Sequence, residues 1–337
     1  MYVTIQNTPL SVYQQEEYSL FLTSCGLRDE GDADFIALMR DDDGNLMACG
    51  ALAGHTIKQL AVDPSAEGCG MMATIISSLI SEAAARGIFR LFLCTKPANR
   101  KMFGSMGFYA VVETEDAVLM ENRSGGAETF IDSIPRHRGV CGAVVCNCDP
   151  FTLGHRHLIE HAAAGCDSLY VFAVSESGSF FSPEERIEMI RKGTADIPNC
   201  YIYASDLYLI SRATFPAYFI KDKVRAETVK ADLDIEFFAG RLAPALGITA
   251  RYVGQEPLDP VTRAYNERMK EVLPQRGIRL EEIPRLTDAG GEIISAGEVR
   301  ELIRNAEKQT GQSRDRILRH IHELVPETTY GMILKHI

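Results

Sequence analysis

The chain has 337 residues, enough for two domains with full cores, and its 46% hydrophobic and 24% charged content is that of an ordinary globular protein. A formal charge of −11 excludes a broad nucleic-acid-binding surface, which would need clustered Lys and Arg. No basic–apolar–small leader pattern and no apolar run near the roughly 18 residues of a membrane span occurs, and nine cysteines scattered through apolar stretches suit a reducing compartment, so a cytoplasmic protein without membrane or nucleic-acid partners is expected.

Along the first part of the chain, Glu16–Cys25 reads as a helix ended by Gly26. Phe35–Arg40 and Leu46–Ala53 read as a hairpin around the polar turn 41–45, and Thr56–Val62 as a third strand closed by Asp63-Pro64. Gly68-Cys-Gly70 then opens an amphipathic helix over Met71–Arg86, followed by a strand over Ile88–Cys94. A short helix over Ala98–Met106 and strands over Tyr109–Val112 and Ala117–Met120 complete an α+β unit, residues 1–125. The turn-rich stretch Arg123-Ser-Gly-Gly-Ala127 marks a boundary, and residues 126–138 read as a linker.

From residue 139 strands alternate with helices to residue 337. The strands are expected at Val140–Cys146, Ser168–Val174, Cys200–Ala204, Asp234–Phe238, Thr249–Val253 and Ile278–Ile283. The helices between and after them are Gly154–Ala164, Pro183–Lys192, Arg241–Leu246, Pro260–Leu273, Glu298–Lys308 and Arg314–Leu324. This alternation predicts a Rossmann-like, doubly wound parallel sheet, whose ligands lie at the carboxyl ends of the strands. Asn147, Ser175 and Gly254 fall at such ends.

Chemistry concentrates at the first of these junctions. After the strand come Asn147, Cys148, the Asp149-Pro150 turn, Phe151, and then Thr152-Leu-Gly154-His155 at a helix start. Thr152 can cap the helix, Gly154 permits close approach to the backbone, and the free N–H groups with the positive dipole end suit a phosphate. Local pattern leaves an ordinary strand–turn–helix with a surface histidine as the alternative. Ser182-Pro-Glu-Glu185 and Ser295-Ala-Gly-Glu298 read as capping boxes, and Asp259-Pro260 as a cap with proline in the first turn. Arg156, Arg186, Arg263 and Arg300 lie just inside helix starts, where a cation opposes the dipole unless an anion binds. Cys146 and Cys148 lack a second pair at ligand spacing, and His157 and His161 lack a third ligand, so no metal site is expected.

In the first part, Leu60-Ala-Val-Asp-Pro64, Gly68-x-Gly70 before a long helix, and Asn99…Phe103-Gly-Ser-Met-Gly-Phe108 resemble the GNAT-type acetyltransferases, whose glycine turn binds the pyrophosphate of a CoA group. Glu67 and Met72 depart from that pattern, the first electrostatically and the second by crowding the turn. In the second part, Thr152-Leu-Gly-His155 and Ile294-Ser-Ala-Gly-Glu-Val-Arg300 resemble the two nucleotidyltransferase signatures, with Gly297 replacing a serine. The fusion of the two, with Ile210-Ser-Arg-Ala-Thr-Phe-Pro216, Gly254-Gln-Glu-Pro257 and Asp259-Pro-Val-Thr-Arg263-Ala-Tyr-Asn266, closely resembles the citrate lyase ligase family; Asp149 stands where Asn is expected.

The resemblance implies that ATP, with Mg²⁺ as cofactor, and acetate give acetyl adenylate and pyrophosphate. The acetyl group then passes to the thiol of the phosphoribosyl-dephospho-CoA arm on the citrate lyase acyl carrier subunit. His155, Thr152 and Arg300 are the expected catalytic residues. The phosphates are expected at Asn147, Asp149, Pro150, Phe151, Gly154, Ser295, Arg186 and Arg263, and adenine and ribose at Gly254, Gln255 and Glu256. Two alternatives stand beside it: an adenylyltransferase joining ATP to a phosphorylated acceptor, and an acetyl-CoA-dependent acetyltransferase.

Overall fold

The computed structural model describes residues 1–66, 68–175, 179–209, 219–220 and 222–337; Glu67 and the Ile210–Pro216 motif lie outside the described residues. The chain divides into two compact units, one of Met1–Glu128 with the described part of 212–236, the other of Thr129–Ser211 with Phe237–Ile337. Among the described residues no helix is long and apolar enough to cross a membrane.

The first unit begins with a strand not foreseen from sequence, β1 (Tyr2–Asn7), then α1 (Val12–Ser24), which starts earlier than expected because Ser11 and Gln14 form a capping box. Next come β2 (Phe35–Arg40), β3 (Leu46–Ala53), β4 (Thr56–Val62), α2 (Met71–Ala85), β5 (Phe92–Thr95), α3 (Arg100–Ser105), β6 (Tyr109–Glu113) and β7 (Val118–Glu121). The seven strands form one sheet in the order β1-β2-β3-β4-β5-β7-β6. Pairing is antiparallel except between β4 and β5, where the recorded parallel register covers only Thr56↔Phe92 and Ile57↔Leu93. Met72, expected to crowd the glycine turn, instead packs half-buried against the core formed by Ile57, Ile75, Leu79 and Leu93.

The stretch read as a linker contains a helix, α4 (Gly126–Asp132), and Phe130, Ile131 and Ile134 are buried. Then follow β8 (Cys141–Cys146), α5 (Leu153–Ala164), β9 (Ser168–Ala173), α6 (Pro183–Gly193) and β10 (Cys200–Ala204). The strand expected at Asp234–Phe238 is absent. Those residues close a long helix, α7 (Lys223–Phe237), and a π-helical turn, Phe238–Leu242. The run preceding Ile235 has no Gly or Pro, so helix propagation carries through a segment whose apolar run alone suggested a strand. Residues 222–236 accordingly group with the first unit, where Arg225 pairs with Asp116 at 2.6 Å, whereas 139–337 had read as one continuous domain.

The chain continues through α8 (Ala243–Leu246), β11 (Ile248–Gly254), α9 (Pro260–Val272), β12 (Arg279–Ile283), α10 (Ala296–Glu307), α11 (Gly311–Leu324) and α12 (Glu327–Ile333), the last unanticipated. Five parallel strands lie in the order β10-β9-β8-β11-β12. This is the doubly wound arrangement expected, and its inner strand β9 is apolar because both faces are covered: every residue of β9 is buried. From β8 the chain winds outward through β9 and β10, then returns to place β11 on the other flank of β8. The switch point therefore lies between β8 and β11, and the loop after β8 opens there.

Candidate active site

The loop after β8 is built from inside out. Phe151 is fully buried and its ring fills the space beside Gly193, where any side chain would strike the ring. Asp149 and Pro150 are also buried. Both Asp149 carboxylate oxygens accept backbone hydrogen bonds, Oδ2 from Phe180 N–H at 2.9 Å and Oδ1 from Phe181 N–H at 2.8 Å. An asparagine could accept at one of these positions only. Asp149 thus anchors the loop, and Pro150 and Phe151 shape it.

Thr152 caps α5, and His155 closes the box from the third helical position. Thr152 N–H donates to His155 Nδ1 at 3.1 Å, and Thr152 Oγ1 accepts from His155 N–H at 3.4 Å. A backbone N–H can only donate, so Nδ1 is the unprotonated nitrogen and the proton of the neutral ring sits on Nε2. Burial first, then the charges of Arg285 and Arg300, push the His155 pKa down to about 4. At neutral pH the ring is therefore an uncharged hydrogen-bond donor, oriented by its own helix cap and lying face-on to Phe151 at 6.0 Å between centroids.

The second motif meets the first at Gly154. A Cβ there would lie 3.2 Å from the Ile294 carbonyl oxygen, so the close approach foreseen for this glycine is made by the chain itself. Ser295 caps α10 by accepting from Glu298 N–H at 3.1 Å. The reciprocal bond of a capping box does not form; Glu298 reaches His320 at 3.4 Å instead. Arg300 donates from Nη1 to the Asp149 carbonyl oxygen and lies 3.8 Å from Asp149 Oδ2. A Cβ at Gly297 would lie 3.9 Å from both Arg300 Nη2 and Ser295 Oγ, an ordinary van der Waals contact with two residues of the site.

The other expected residues divide. Arg186 is wholly buried and donates to the backbone carbonyl of Asn147 at 3.1 Å and to its Oδ1, which leaves exposed Asn147 only its Nδ2 donors for a ligand. Arg156 is tied to Asp196 and Glu160. Arg263 is exposed on α9 and, among the described residues, has no side-chain partner. Gly254 to Glu256 leave the carboxyl end of β11, but the Glu256 carboxylate is committed to Arg285 and to the Leu258 and Asp259 amides at 3.1 Å. Cys148 is fully buried, and desolvation above all raises its thiol pKa well above the ordinary value, so it packs as a thiol. Among the described residues no group of three or more His, Cys, Asp or Glu could hold a metal ion.

Sequence reasoning missed Arg285. It lies two residues beyond the end of β12, donates from Nε to the Gln255 carbonyl at 2.5 Å, pairs with Glu256, and brings a second positive charge near His155. Its place just past the carboxyl end of a predicted strand was the available signal. Also missed were the Phe180 and Phe181 amides that hold Asp149, since backbone donors leave no residue-type signature.

The model of the citrate lyase ligase C-terminal domain matches residues 141–333, and that of the acetyltransferase (GNAT) family matches residues 2–109. The chain is 40% identical over 330 residues to the citrate (pro-3S)-lyase ligase of Klebsiella pneumoniae, covering 96% of this chain and 93% of that protein. It is 36% identical to the Haemophilus influenzae ligase over 96% of each chain, and 40% identical to the Escherichia coli ligase over 80% of this chain and 78% of that one. With a GNAT-like first part, a doubly wound second part and both signatures brought to one switch point, this chain belongs to the citrate lyase ligase family.

Proposed function

We propose that the chain uses ATP to activate acetate and passes the acetyl group to a thiol carried by citrate lyase. The observation that carries this reading is a neutral, donor-presenting His155 at a helix N-terminus with Arg285 and Arg300 close enough to depress its pKa. Such a site suits a polyanion whose charge shifts during reaction, and it offers hydrogen bonds and charge rather than a nucleophile. The names of the curated relatives support citrate lyase as the target.

In the first step an acetate oxygen attacks the α-phosphorus of ATP and the bond to pyrophosphate breaks, giving acetyl adenylate. His155 Nε2–H donates to a non-bridging α-phosphate oxygen, where negative charge grows. Arg300 and Arg285 offset the charge of the departing pyrophosphate, with the α5 amides, Ser295 Oγ and Asn147 Nδ2 completing the cradle. Gly254 and Gln255 flank the adenosine, while Glu256 shapes that turn through Arg285. In the second step the sulfur of the phosphoribosyl-dephospho-CoA arm on the acyl carrier subunit attacks the acetyl carbon. The thiol proton goes to solvent, the bond to AMP breaks and a thioester results. Mg²⁺ is proposed only as the counter-ion that ATP brings, because Asp149 has both oxygens occupied and the described residues provide no carboxylate cluster for it.

The test is incubation with ATP, acetate and thiol-form citrate lyase, following AMP release, recovered lyase activity and acetate-dependent exchange of labelled pyrophosphate into ATP. A stable dinucleotide product formed without acetate would overturn the reading in favour of an adenylyltransferase.

A further inference from the structure

Arg300 takes its place from Asp149, whose carbonyl it binds and whose carboxylate lies 3.8 Å away. Asp149 in turn takes its orientation from the Phe180 and Phe181 amides. These two residues are gripped from three directions. Behind them, Ser182 and Glu185 form a capping box in which Glu185 Oε2 accepts from Ser182 N–H at 2.8 Å. The other oxygen, Oε1, accepts from His336 Nε2 at 2.6 Å, and the His336 ring meets Phe181 edge-on with centroids 4.8 Å apart. From α10, Arg304 lies with its guanidinium 5.9 Å from the centre of the Phe180 ring, one turn beyond Arg300 on the same helix.

We propose that His336 is a positioning residue for Arg300: through Glu185 and the Phe180–Phe181 amides it fixes Asp149, and so sets the guanidinium at the phosphate site. The bond is a strong one. Burial works against ionisation of Glu185, yet the hydrogen bonds from Ser182 and His336 outweigh it and hold its carboxyl below the ordinary value, which makes the His336 bond charge-assisted. It is also a bond that the helix does not need in order to fold. α6 keeps its Ser182 cap and Pro183 at the first turn, and its apolar face, Met189 and Ile190, is fully buried without help from His336. The His336 side chain is one-third exposed, so its removal loosens the loop more than the core. The inference rests on Arg300 being a phosphate-binding group.

The experiment compares the full chain with His336→Ala, His336→Gln, Arg300→Lys and the His336→Ala/Arg300→Lys double variant, by acetate-dependent pyrophosphate exchange with kcat and KM for ATP separated and melting temperature recorded. His336→Ala is expected to lower kcat about tenfold with KM within about twofold, and to cost less than about twofold when Arg300 is already Lys, because coupled residues are not additive. Glutamine keeps an N–H donor near the Nε2 position and should recover most of the loss. An unchanged kcat in His336→Ala, or a loss of equal size in the Arg300→Lys background, overturns the proposal while leaving the phosphate site standing. Wild-type exchange by Arg300→Lys removes the phosphate-site reading and the proposal with it.

Discussion

Each unit of this chain contains a glycine-bearing turn that launches a helix, and the two differ in everything except the backbone amides. In the first unit Gly70 itself occupies the cap position of α2 with φ 74° and makes no side-chain cap. Gly68 and Gly70 have nothing within 4 Å of where a Cβ would stand, so these glycines serve backbone conformation alone. In the second unit Thr152 caps α5, His155 closes the cap, and Gly154 is needed because Ile294 presses against it. The comparison shows that a helix N-terminus becomes a chemical site through the side chains that crowd it. Amides are common to both turns, whereas a neutral imidazole near two arginines occurs in the second.

The sharpest break of that comparison is His155→Ala. It should reduce acetate-dependent pyrophosphate exchange by about 10² to 10³-fold, the range for losing a donor aimed at developing charge, whereas Gly70→Ala should leave exchange within about twofold. Comparable losses from both would show that the two turns serve one reaction.

Next in size is Gly193→Ala, because the added carbon strikes the Phe151 ring beneath His155. Overpacking of this kind costs about 1–3 kcal/mol, read as a lower denaturant midpoint at unchanged m-value. Gly70→Ala places a residue at positive φ in open space and should cost about 1 kcal/mol by backbone strain alone.

The pH dependence is a finer test. The His155 pKa of about 4 lies below its unperturbed value of about 6.5, so the folded state binds fewer protons than the unfolded state between those values. Stability from this group is therefore complete above about pH 6.5 and declines as the pH falls toward 4. Exchange should show no acid limb near 6.5, only one nearer 4. Arg285→Ala removes one of the charges that lower the pKa, so its acid limb should move upward; a limb that stays in place would separate Arg285 from the site.

Much of this was legible in the chain itself. The strands Phe35–Arg40, Leu46–Ala53, Thr56–Val62 and Cys200–Ala204 were bounded correctly because turn residues and apolar runs coincide there. The helix starts at Thr152, Ser182 and Ser295 were visible because caps act over three residues. The strand expected at Asp234–Phe238 failed where a local apolar run competed with a helix already propagating.

Sequence by itself determined the parallel α/β alternation, the motif pair Thr152–His155 and Ser295–Arg300, and the family. These are properties of local spacing and residue type. Tertiary structure alone decided which arginines count. Arg186 went into the core and Arg156 to Asp196, while Arg285, carrying no motif of its own, came near His155. It also decided the protonation of His155, since its pKa depends on burial and on charges contributed by Arg285 and Arg300, more than a hundred residues away in the chain. Residue type tells which groups can carry charge; only their burial and neighbours determine whether they do.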